Sequence, residues 1–215
     1  MSNWSNEKIW GWGRYPTIET LVSRPERTSS VIKLVKGDKS LPMLAHGLGR
    51  SYGDSALLST GNVLKMERLN RILSFDAQTG WVHCEAGVSL KDLIKIFVPR
   101  GFFPPVVPGT QFVTLGGAIA NDIHGKNHHV DGTICDHIRA LELLLADGTV
   151  VTCDAETEPD LFWATVGGLG LTGIILSVEL RLQSIANPLI EMESIRVENL
   201  DHFFQVSSES GHFTH

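Results

Sequence analysis

The spacing of apolar and polar positions changes several times along the chain, which predicts a mixture of strands and helices. Residues 80–86 alternate between polar and apolar, as in a strand with one buried face. Ser89-Leu90-Lys91-Asp92 then has the spacing of a capping box, and apolar positions recur at helical intervals through Phe97. The pattern therefore predicts a strand followed by a helix.

A second set of patterns lies between residues 138 and 182. Two apolar runs within residues 138–153 flank Asp147-Gly148, a dipeptide that favours a β-hairpin because it accepts positive φ angles. Pro159 is suited to the first turn of a helix through residues 160–166, and residues 173–182 predict a further strand. Together these elements indicate an α+β fold.

Composition narrows the classes of protein to which the chain can belong. The formal net charge is −6 and no basic run is present, so we expect no nucleic-acid partner. Cys84, Cys135 and Cys153 form neither a disulfide framework nor a CxxC pair, which favours a reducing compartment. Because no apolar run is long enough for a signal peptide or a transmembrane segment, we expect a cytoplasmic protein, peripheral to a membrane only through its substrate.

The sequence Ile185-Ala186-Asn187-Pro188 predicts a domain boundary. We expect one domain over residues 1–185. The segment 186–215 contains, within residues 189–215, the pattern of one strand and one short helix, and about 30 residues are too few to bury a separate core. We therefore expect them to be the truncated start of a second domain.

The motif Gly168-Leu169-Gly170-Leu171-Thr172-Gly173 matches the literal GxGxxG pattern of dinucleotide-binding folds. In those folds the motif follows a strand and opens a helix. Here a predicted helix precedes it and a predicted strand follows, so we expect a tight loop that could still approach a ligand.

Two other glycine-rich stretches are candidates for binding a phosphate group. Residues 45–55 follow an apolar strand predicted over residues 41–45, and their glycines would leave backbone N–H groups accessible to an anion. Residues 108–126 include Thr114-Leu115-Gly116-Gly117, which predicts a helix whose first-turn N–H groups are free to meet an anion. The alternatives are a plain surface turn for the first stretch and close helix packing for the second.

Three histidines, His124, His128 and His129, lie close together in a predicted loop. Neither a carboxylate nor a cysteine completes a metal site at standard spacing, so we expect no bound metal. A loop that faces a ligand is the better interpretation. Lys126, between these histidines, could place its charge near a phosphate or another negatively charged oxygen.

Taken together, these residues resemble the FAD-binding domain of the vanillyl-alcohol oxidase and p-cresol methylhydroxylase family. The resemblance covers most of the first 185 residues and rests on Gly11-Trp12-Gly13-Arg14, residues 47–54, Pro108-Gly109-Thr110, residues 116–129 and residues 162–175. It implies a p-cresol-methylhydroxylase-type domain of two α/β subdomains with FAD between them, completed in the family by a substrate-binding domain.

The resemblance also implies which residues contact the cofactor and the substrate. His124 and Lys126 would lie where the substrate meets the flavin, as candidates for the catalytic step. Ile174 would lie on the adenine side and the first loop at the pyrophosphate. The full set of expected cofactor-binding residues is Ala45, His46, Gly47, Leu48, Gly49, Arg50, Ser51, Tyr52, Gly53, Asp54, Ser55, Gly109, Thr114, Leu115, Gly116, Gly117, Asn121, Asp122, Ile123, His124 and Ile174.

Many members of the family carry a histidine in the first loop that is covalently bonded to the flavin. The equivalent position here is Arg50. Since an arginine cannot form that bond, we expect a non-covalent, dissociable FAD, with Arg50 available to a phosphate or to the backbone.

The activity implied by the resemblance is oxidation of a secondary alcohol of a sugar to a ketone by hydride transfer to FAD. In the most similar members the alcohol is the 2′-hydroxyl of a lipid-linked pentose, and a partner reductase acts on the resulting keto sugar. Two alternatives remain open. One is an alditol or sugar-lactone oxidase; the other is a flavin-binding module without activity in this truncated form.

Overall fold

A computed structural model describes residues 4–37 and 40–212 of the chain. Short 3-10 helices occupy Met66–Arg68, Val98–Arg100 and Ile134–His137. The α-helices are α1 (Thr28–Lys36), α2 (Leu90–Phe97), α3 (Leu115–Ala120), α4 (His128–Asp131), α5 (Pro159–Thr165) and α6 (Leu200–Glu209). The strands are β1 (Ser5–Trp10), β2 (Thr17–Ser23), β3 (Met43–His46), β4 (Asn62–Lys65), β5 (Ile72–Phe75), β6 (Trp81–Glu85), β7 (Phe102–Phe103), β8 (Ile138–Leu144), β9 (Val150–Cys153), β10 (Ile174–Arg181) and β11 (Gln183–Ser184).

The strands form two main sheets, which confirms the α+β class. The first sheet has the order β1-β2-β4-β3, with β1 antiparallel to β2 and the other neighbours parallel. The second sheet has the order β5-β6-β10-β8-β9 and is antiparallel throughout. A small third pair joins β11 to β7.

The predicted capping box at Ser89 is confirmed. The Ser89 hydroxyl accepts a hydrogen bond from the Asp92 N–H at 3.1 Å, and the Asp92 carboxylate accepts one from the Ser89 N–H at 3.1 Å. The helix that follows, α2, buries Leu90, Leu93 and Phe97 against the second sheet. A local sequence signal and the apolar face of the helix therefore agree, as expected for a stable element.

The predicted hairpin is also confirmed, because Leu144 in β8 pairs with Val150 in β9 across the turn. Gly148 has a φ of 90°, which glycine accepts readily, and the Asp147 carboxylate accepts a hydrogen bond from the Thr149 N–H at 2.7 Å. Ile138, Leu141 and Leu143 of β8 enter the core of the second sheet, and Leu144 belongs to a separate apolar cluster.

The two sheets meet through a shared apolar cluster. Val31 of α1 and Leu64 of β4 pack with Leu144, Ile174 and Leu176 of the second sheet. The carboxyl end of β3 and the start of β10 are thereby held close together. That junction positions the candidate site described below.

The last described residues are less well packed than the two sheets. Helix α6 confirms the predicted short helix, with the Asn199 side chain accepting a hydrogen bond from the His202 N–H at 2.9 Å. The strand predicted in this stretch is wrong for the described residues 186–212, which form none. Leu189, Ile190 and Met192 are exposed instead, so no strand pairing or core contact orders them.

None of the helices in the described chain combines the length and the apolar character needed to cross a membrane.

Candidate functional site

A shallow cleft, partly open to solvent, lies at the junction of the two sheets. Its walls come from the first glycine loop, from helix α3 and from the loop that precedes β10. The lining residues are Leu44, Ala45, His46, Gly47, Ser51, Ser55, Ala56, Met66, Ala86, Thr114, Gly116, Gly117, Ala120, Asn121, Leu169, Gly170, Gly173 and Ile175.

The first glycine loop, residues 47–56, leaves β3 and forms one wall of the cleft. Gly49 and Gly53 have φ angles of 65° and 59°, which lets the backbone turn sharply. Within the described chain, the backbone N–H groups of residues 47–56 make no hydrogen bond with another protein group. This loop therefore offers unpaired donors of the kind that bind a phosphate.

An N-terminal turn supports the first loop from outside. The Trp12 N–H donates to the Ser51 carbonyl at 2.9 Å, and a methyl group on Gly11 would lie 2.7 Å from that same oxygen. Only glycine allows this approach. The Gly11-Trp12 turn thus fixes the position of the loop backbone.

Arg50 bonds to the backbone of its own loop. Its guanidinium donates to the Leu48 carbonyl at 2.6 Å and lies 5.7 Å from the centre of the Trp12 ring. The side chain is exposed and does not line the cleft.

His46 begins the loop and is buried, with 4% of its surface exposed. Its Nδ1 lies 2.9 Å from the Ala56 carbonyl, at the other end of the loop. Burial lowers the pKa of His46 from its ordinary value of 6.5, against the opposing effect of that hydrogen bond. The ring is therefore neutral at pH 7.

The expectation of free N–H groups at the start of α3 is wrong. The Leu115 N–H donates to the Val88 carbonyl at 2.8 Å, and the Gly116 N–H donates to the Ala86 carbonyl at 2.8 Å. The Gly117 N–H donates to the Thr114 hydroxyl at 3.3 Å. The first two groups are occupied because the helix docks against the end of the second sheet, and the third is occupied by the N-terminal cap of the helix itself.

Close packing accounts for Gly116. A methyl group on Gly116 would lie 3.1 Å from Ala86 Cβ, tighter than ordinary contact. The alternative interpretation of this stretch, that its glycines permit close helix packing, is therefore the one that the structure supports. Gly116 and Gly117 still line the cleft.

The GxGxxG stretch forms the predicted tight loop between a helix, α5, and a strand, β10. The Leu169 N–H donates to the Ala120 carbonyl at 2.8 Å, which holds the loop against the end of α3. Gly170, with a φ of 76°, lines the cleft and has no atom within 4 Å of the position a methyl group would take. The motif is not a Rossmann loop, yet it contributes to the candidate site.

The three clustered histidines lie outside the lined cleft. The rings of His124 and His128 are 5.2 Å apart, and both Nδ1 atoms face the Gly125 carbonyl, at 3.4 Å and 3.1 Å. His128 and His129 belong to the short helix α4, so the expected loop is partly helical. Among the described residues, no group of three His, Cys, Asp or Glu side chains has the arrangement of a metal site.

The structure brings only part of the expected cofactor set to the cleft. Those residues are Ala45, His46, Gly47, Ser51, Ser55, Thr114, Gly116, Gly117 and Asn121. Leu115 and Ile174 are buried in the two cores. The other expected residues, with Lys126, lie in the same segments but do not line the cleft: Leu48, Gly49, Arg50, Tyr52, Gly53, Asp54, Gly109, Asp122, Ile123 and His124.

Leu169, Gly170 and Gly173 line the cleft, and they belong to the loop that the sequence predicts could approach a ligand. Sequence reasoning missed the other lining residues, because their side chains are apolar and only the packing of the two sheets brings them to the cleft: Leu44, Ala56, Met66, Ala86, Ala120 and Ile175.

The donor set of the cleft fits FAD. The lining residues among those described include no charged side chain. The first glycine loop contributes the unpaired N–H groups of Gly47, Ser51, Ser55 and Ala56 and the Ser51 hydroxyl, whereas the Ser55 hydroxyl already donates to the Tyr52 carbonyl. Backbone dipoles of this kind bind a diphosphate without a cation. The apolar side chains of Met66 and Ile175 offer a surface for a flat ring.

Comparison with known proteins agrees with this geometry. Residues 20–154 match the family described as FAD binding domain. The chain is 46% identical over 182 residues to decaprenylphosphoryl-beta-D-ribose oxidase from Mycolicibacterium smegmatis, covering 83% of this chain and 40% of that protein.

Two further relatives are more distant. L-gulonolactone oxidase from Mus musculus is 34% identical over 137 residues, covering 63% of this chain and 30% of the relative. D-lactate dehydrogenase from Archaeoglobus fulgidus is 30% identical over 166 residues, covering 74% of this chain and 37% of that protein.

The chain thus spans less than half the length of these curated relatives. The matched residues 20–154 include the first glycine loop, helix α3 and the histidine cluster. The chain therefore belongs to the FAD binding domain family.

Proposed function

We propose that this chain is the FAD-binding part of an oxidoreductase that oxidises a secondary alcohol of a sugar to a ketone. The observation that carries the proposal is the cleft, in which a loop with unpaired N–H groups faces α3 and the Gly170 loop. The substrate class rests on the 46% identity to a protein named for decaprenylphosphoryl-ribose. We take the 2′-hydroxyl of a lipid-linked pentose as the alcohol.

When bound, FAD supplies a flavin ring that accepts a hydride from the alcohol carbon. The residues of this chain bind and orient it. Gly47, Ser51, Ser55 and Ala56, the loop residues that line the cleft, would provide N–H donors for the diphosphate, and Ser51 would add its hydroxyl. Gly170 leaves room for close approach of the ligand.

We propose His124 and Lys126 as substrate-side residues. They follow Asn121, which lines the cleft, along the same segment after α3. An imidazole can accept the hydroxyl proton of an alcohol, and an ammonium group can stabilise negative charge on oxygen. Replacement of either should lower kcat while leaving FAD affinity unchanged.

We further propose that FAD is held non-covalently, because Arg50 stands where relatives carry the tethering histidine. Arg50 instead donates to the Leu48 carbonyl. Precipitation of the FAD-loaded protein with acid should release all the yellow colour into the supernatant. Colour retained in the washed pellet would show a covalent bond and refute this part of the proposal.

The test of the whole proposal is titration of the purified chain with FAD, followed by anaerobic addition of a sugar. Binding should quench flavin fluorescence, and ADP should compete because it carries the same diphosphate. Bleaching of the flavin absorbance by a pentose derivative supports an oxidoreductase. A flavin that binds but stays yellow supports the alternative of a binding module without activity.

A second candidate is an alditol or sugar-lactone oxidase. Its support is the similarity to L-gulonolactone oxidase from Mus musculus and to a putative D-arabinono-1,4-lactone oxidase from Neurospora crassa. Bleaching by a sugar lactone or an alditol, with none by a phosphorylated pentose, would favour this candidate.

We place the domain boundary after residue 185. The last strand, β11, ends at Ser184, and the buried cores contain no described residue beyond Leu182. Residues 186–215 would begin a substrate-binding domain. We also propose a cytoplasmic protein that meets a membrane only through its lipid-linked substrate, together with a partner reductase that acts on the keto sugar. Copurification of a keto-sugar reductase tests the partnership.

A further inference from the structure

His46 is the one titratable side chain among the described residues that line the cleft. It ends β3 at the point where the first glycine loop begins, and it is buried. A buried histidine at the entrance of a binding loop needs a physical explanation, because its two ring nitrogens require partners or solvent.

The contact made by Nδ1 defines which ring nitrogen of His46 carries the proton. A backbone carbonyl can only accept a hydrogen bond, so the contact at 2.9 Å places the proton on Nδ1, which donates to Ala56. Burial and the nearby Lys65 ammonium disfavour a second proton, whereas the Glu67 carboxylate and the Ala56 carbonyl favour it. Burial has the largest effect, and Nε2 therefore carries a lone pair.

Few contacts fix the loop that this bond spans. Its own N–H groups are unpaired within the described chain, so no backbone ladder holds its shape. The remaining backbone bonds are those from the Trp12 N–H to Ser51 and from the Leu57 N–H to Asp54, at 2.9 Å and 2.8 Å. The hydrogen bond from His46 to the Ala56 carbonyl joins the residue directly before the loop to the last residue of the loop.

We propose that His46 is a positioning residue that closes the first glycine loop beside the cleft. Its Nδ1–H joins the start of the loop to Ala56 at the end. The inference rests on the proposed function, in which the closed loop receives the diphosphate of FAD. A loop that is already ordered loses less conformational entropy when a ligand binds, so the bond should strengthen binding without touching the reacting atoms.

Three replacements of His46 distinguish the role of Nδ1 from that of Nε2. His46→Asn keeps an amide donor near the position of Nδ1, His46→Gln moves the amide to the position of Nε2, and His46→Leu removes both. Trypsin cleavage after Arg50, which is exposed within the loop, reports loop opening in the absence of FAD. Cleavage after Arg100, exposed at the end of a 3-10 helix, is the internal reference.

We expect His46→Leu and His46→Gln to raise the ratio of cleavage at Arg50 to cleavage at Arg100 about tenfold, the effect of losing one buried hydrogen bond. The Kd for FAD should rise by a similar factor. His46→Asn should restore both values to within about twofold of the unsubstituted chain. His83→Leu, on the outer face of the second sheet, serves as the matched control and should change neither.

The proposal is overturned if His46→Gln restores the two values and His46→Asn does not, because the contact would then belong to Nε2. It is also overturned if His46→Leu leaves cleavage at Arg50 unchanged. Should His46→Leu fail to fold, the comparison of Asn with Gln decides alone. If the unsubstituted chain binds no FAD, the proposed function fails. The ratio of cleavage at Arg50 to cleavage at Arg100, measured without FAD, still tests whether the His46 hydrogen bond closes the loop.

Discussion

The two glycine-rich walls of the cleft look alike in sequence and differ in their hydrogen bonding. In loop 47–56 the N–H groups are unpaired within the described chain. At the start of α3 the N–H groups of Leu115, Gly116 and Gly117 are all bonded inside the protein. The first wall offers donors to a ligand, and the second allows a helix to approach a sheet.

This difference shows that glycine content alone does not identify a phosphate site. A glycine can expose a backbone N–H to a ligand, or it can remove a side chain that would block packing. Which of the two applies depends on where the neighbouring carbonyl groups lie. At α3 they belong to Ala86, which directly follows β6, and to Val88, which lies just before α2.

The largest expected effect tests the packing role of the second wall. Gly116→Val should destabilise the FAD-free chain by about 3 kcal/mol, because its Cβ would lie 3.1 Å from Ala86 Cβ and its two further methyl groups would need additional room. The expected fall in Tm is roughly 6–12 °C for a chain of this size. Thermal unfolding followed by circular dichroism measures it.

Gly109→Val is the matched control, since no atom lies within 4 Å of the position of a methyl group on Gly109. Equal stability of the two variants would contradict the packing role and remove the contrast between the walls.

The next effect tests the point where the two walls touch. A methyl group on Gly47 would overlap the Thr114 hydroxyl, which caps α3 by accepting from the Gly117 N–H. Gly47→Ala should therefore cost about 2 kcal/mol in the free energy of unfolding. Urea unfolding measures the change.

A double-mutant cycle identifies the cause. In a Thr114→Ala background, Gly47→Ala should cost about 1 kcal/mol less, because the overlapping hydroxyl and the cap are already absent. Strict additivity of the two changes would mean that the walls do not interact at this point.

A smaller effect is expected from pH. Because burial lowers the pKa of His46, the folded chain favours the neutral ring. The stability that His46 contributes is fully present above pH 6.5 and falls as pH drops through 6.5 toward the lower pKa of the folded state. Lys65 and Glu67 are the charged groups that influence the ring, in opposite directions.

Urea unfolding between pH 7.5 and pH 5.5 should show this loss in the unsubstituted chain and a flatter profile in His46→Asn. Identical profiles would indicate that the burial of His46 has no effect on its protonation.

The smallest expected effect is the response of FAD binding to salt. Because no charged side chain lines the described cleft, the Kd for FAD should change by less than about threefold between 50 and 500 mM NaCl. Fluorescence titration measures it. A rise of tenfold or more would mean that a cation outside the lining, such as Arg50 or Lys126, holds the diphosphate, and the N–H groups of the first wall would lose their assigned role.

Several elements could be predicted from the sequence because their signals are local. The capping box at Ser89 and the Asp147-Gly148 turn are satisfied by groups only two or three residues away. The order of helix and strand around Gly168 is also readable from local patterns, and it suffices to exclude a Rossmann loop. The pattern after residue 186 was misleading, since no neighbouring strand is present among the described residues to pair with it.

The amino-acid sequence by itself therefore determined the α+β class, the position of the glycine-rich segments and the presence of an arginine at position 50. Only the tertiary structure decided which N–H groups remain unpaired, because the carbonyls that occupy them at α3 come from distant parts of the chain. The same holds for Met66, Ala86 and Ile175, whose apolar side chains become part of a binding cleft only where the two sheets meet. Hydrogen bonds and contacts between distant segments depend on packing, and local patterns do not encode them.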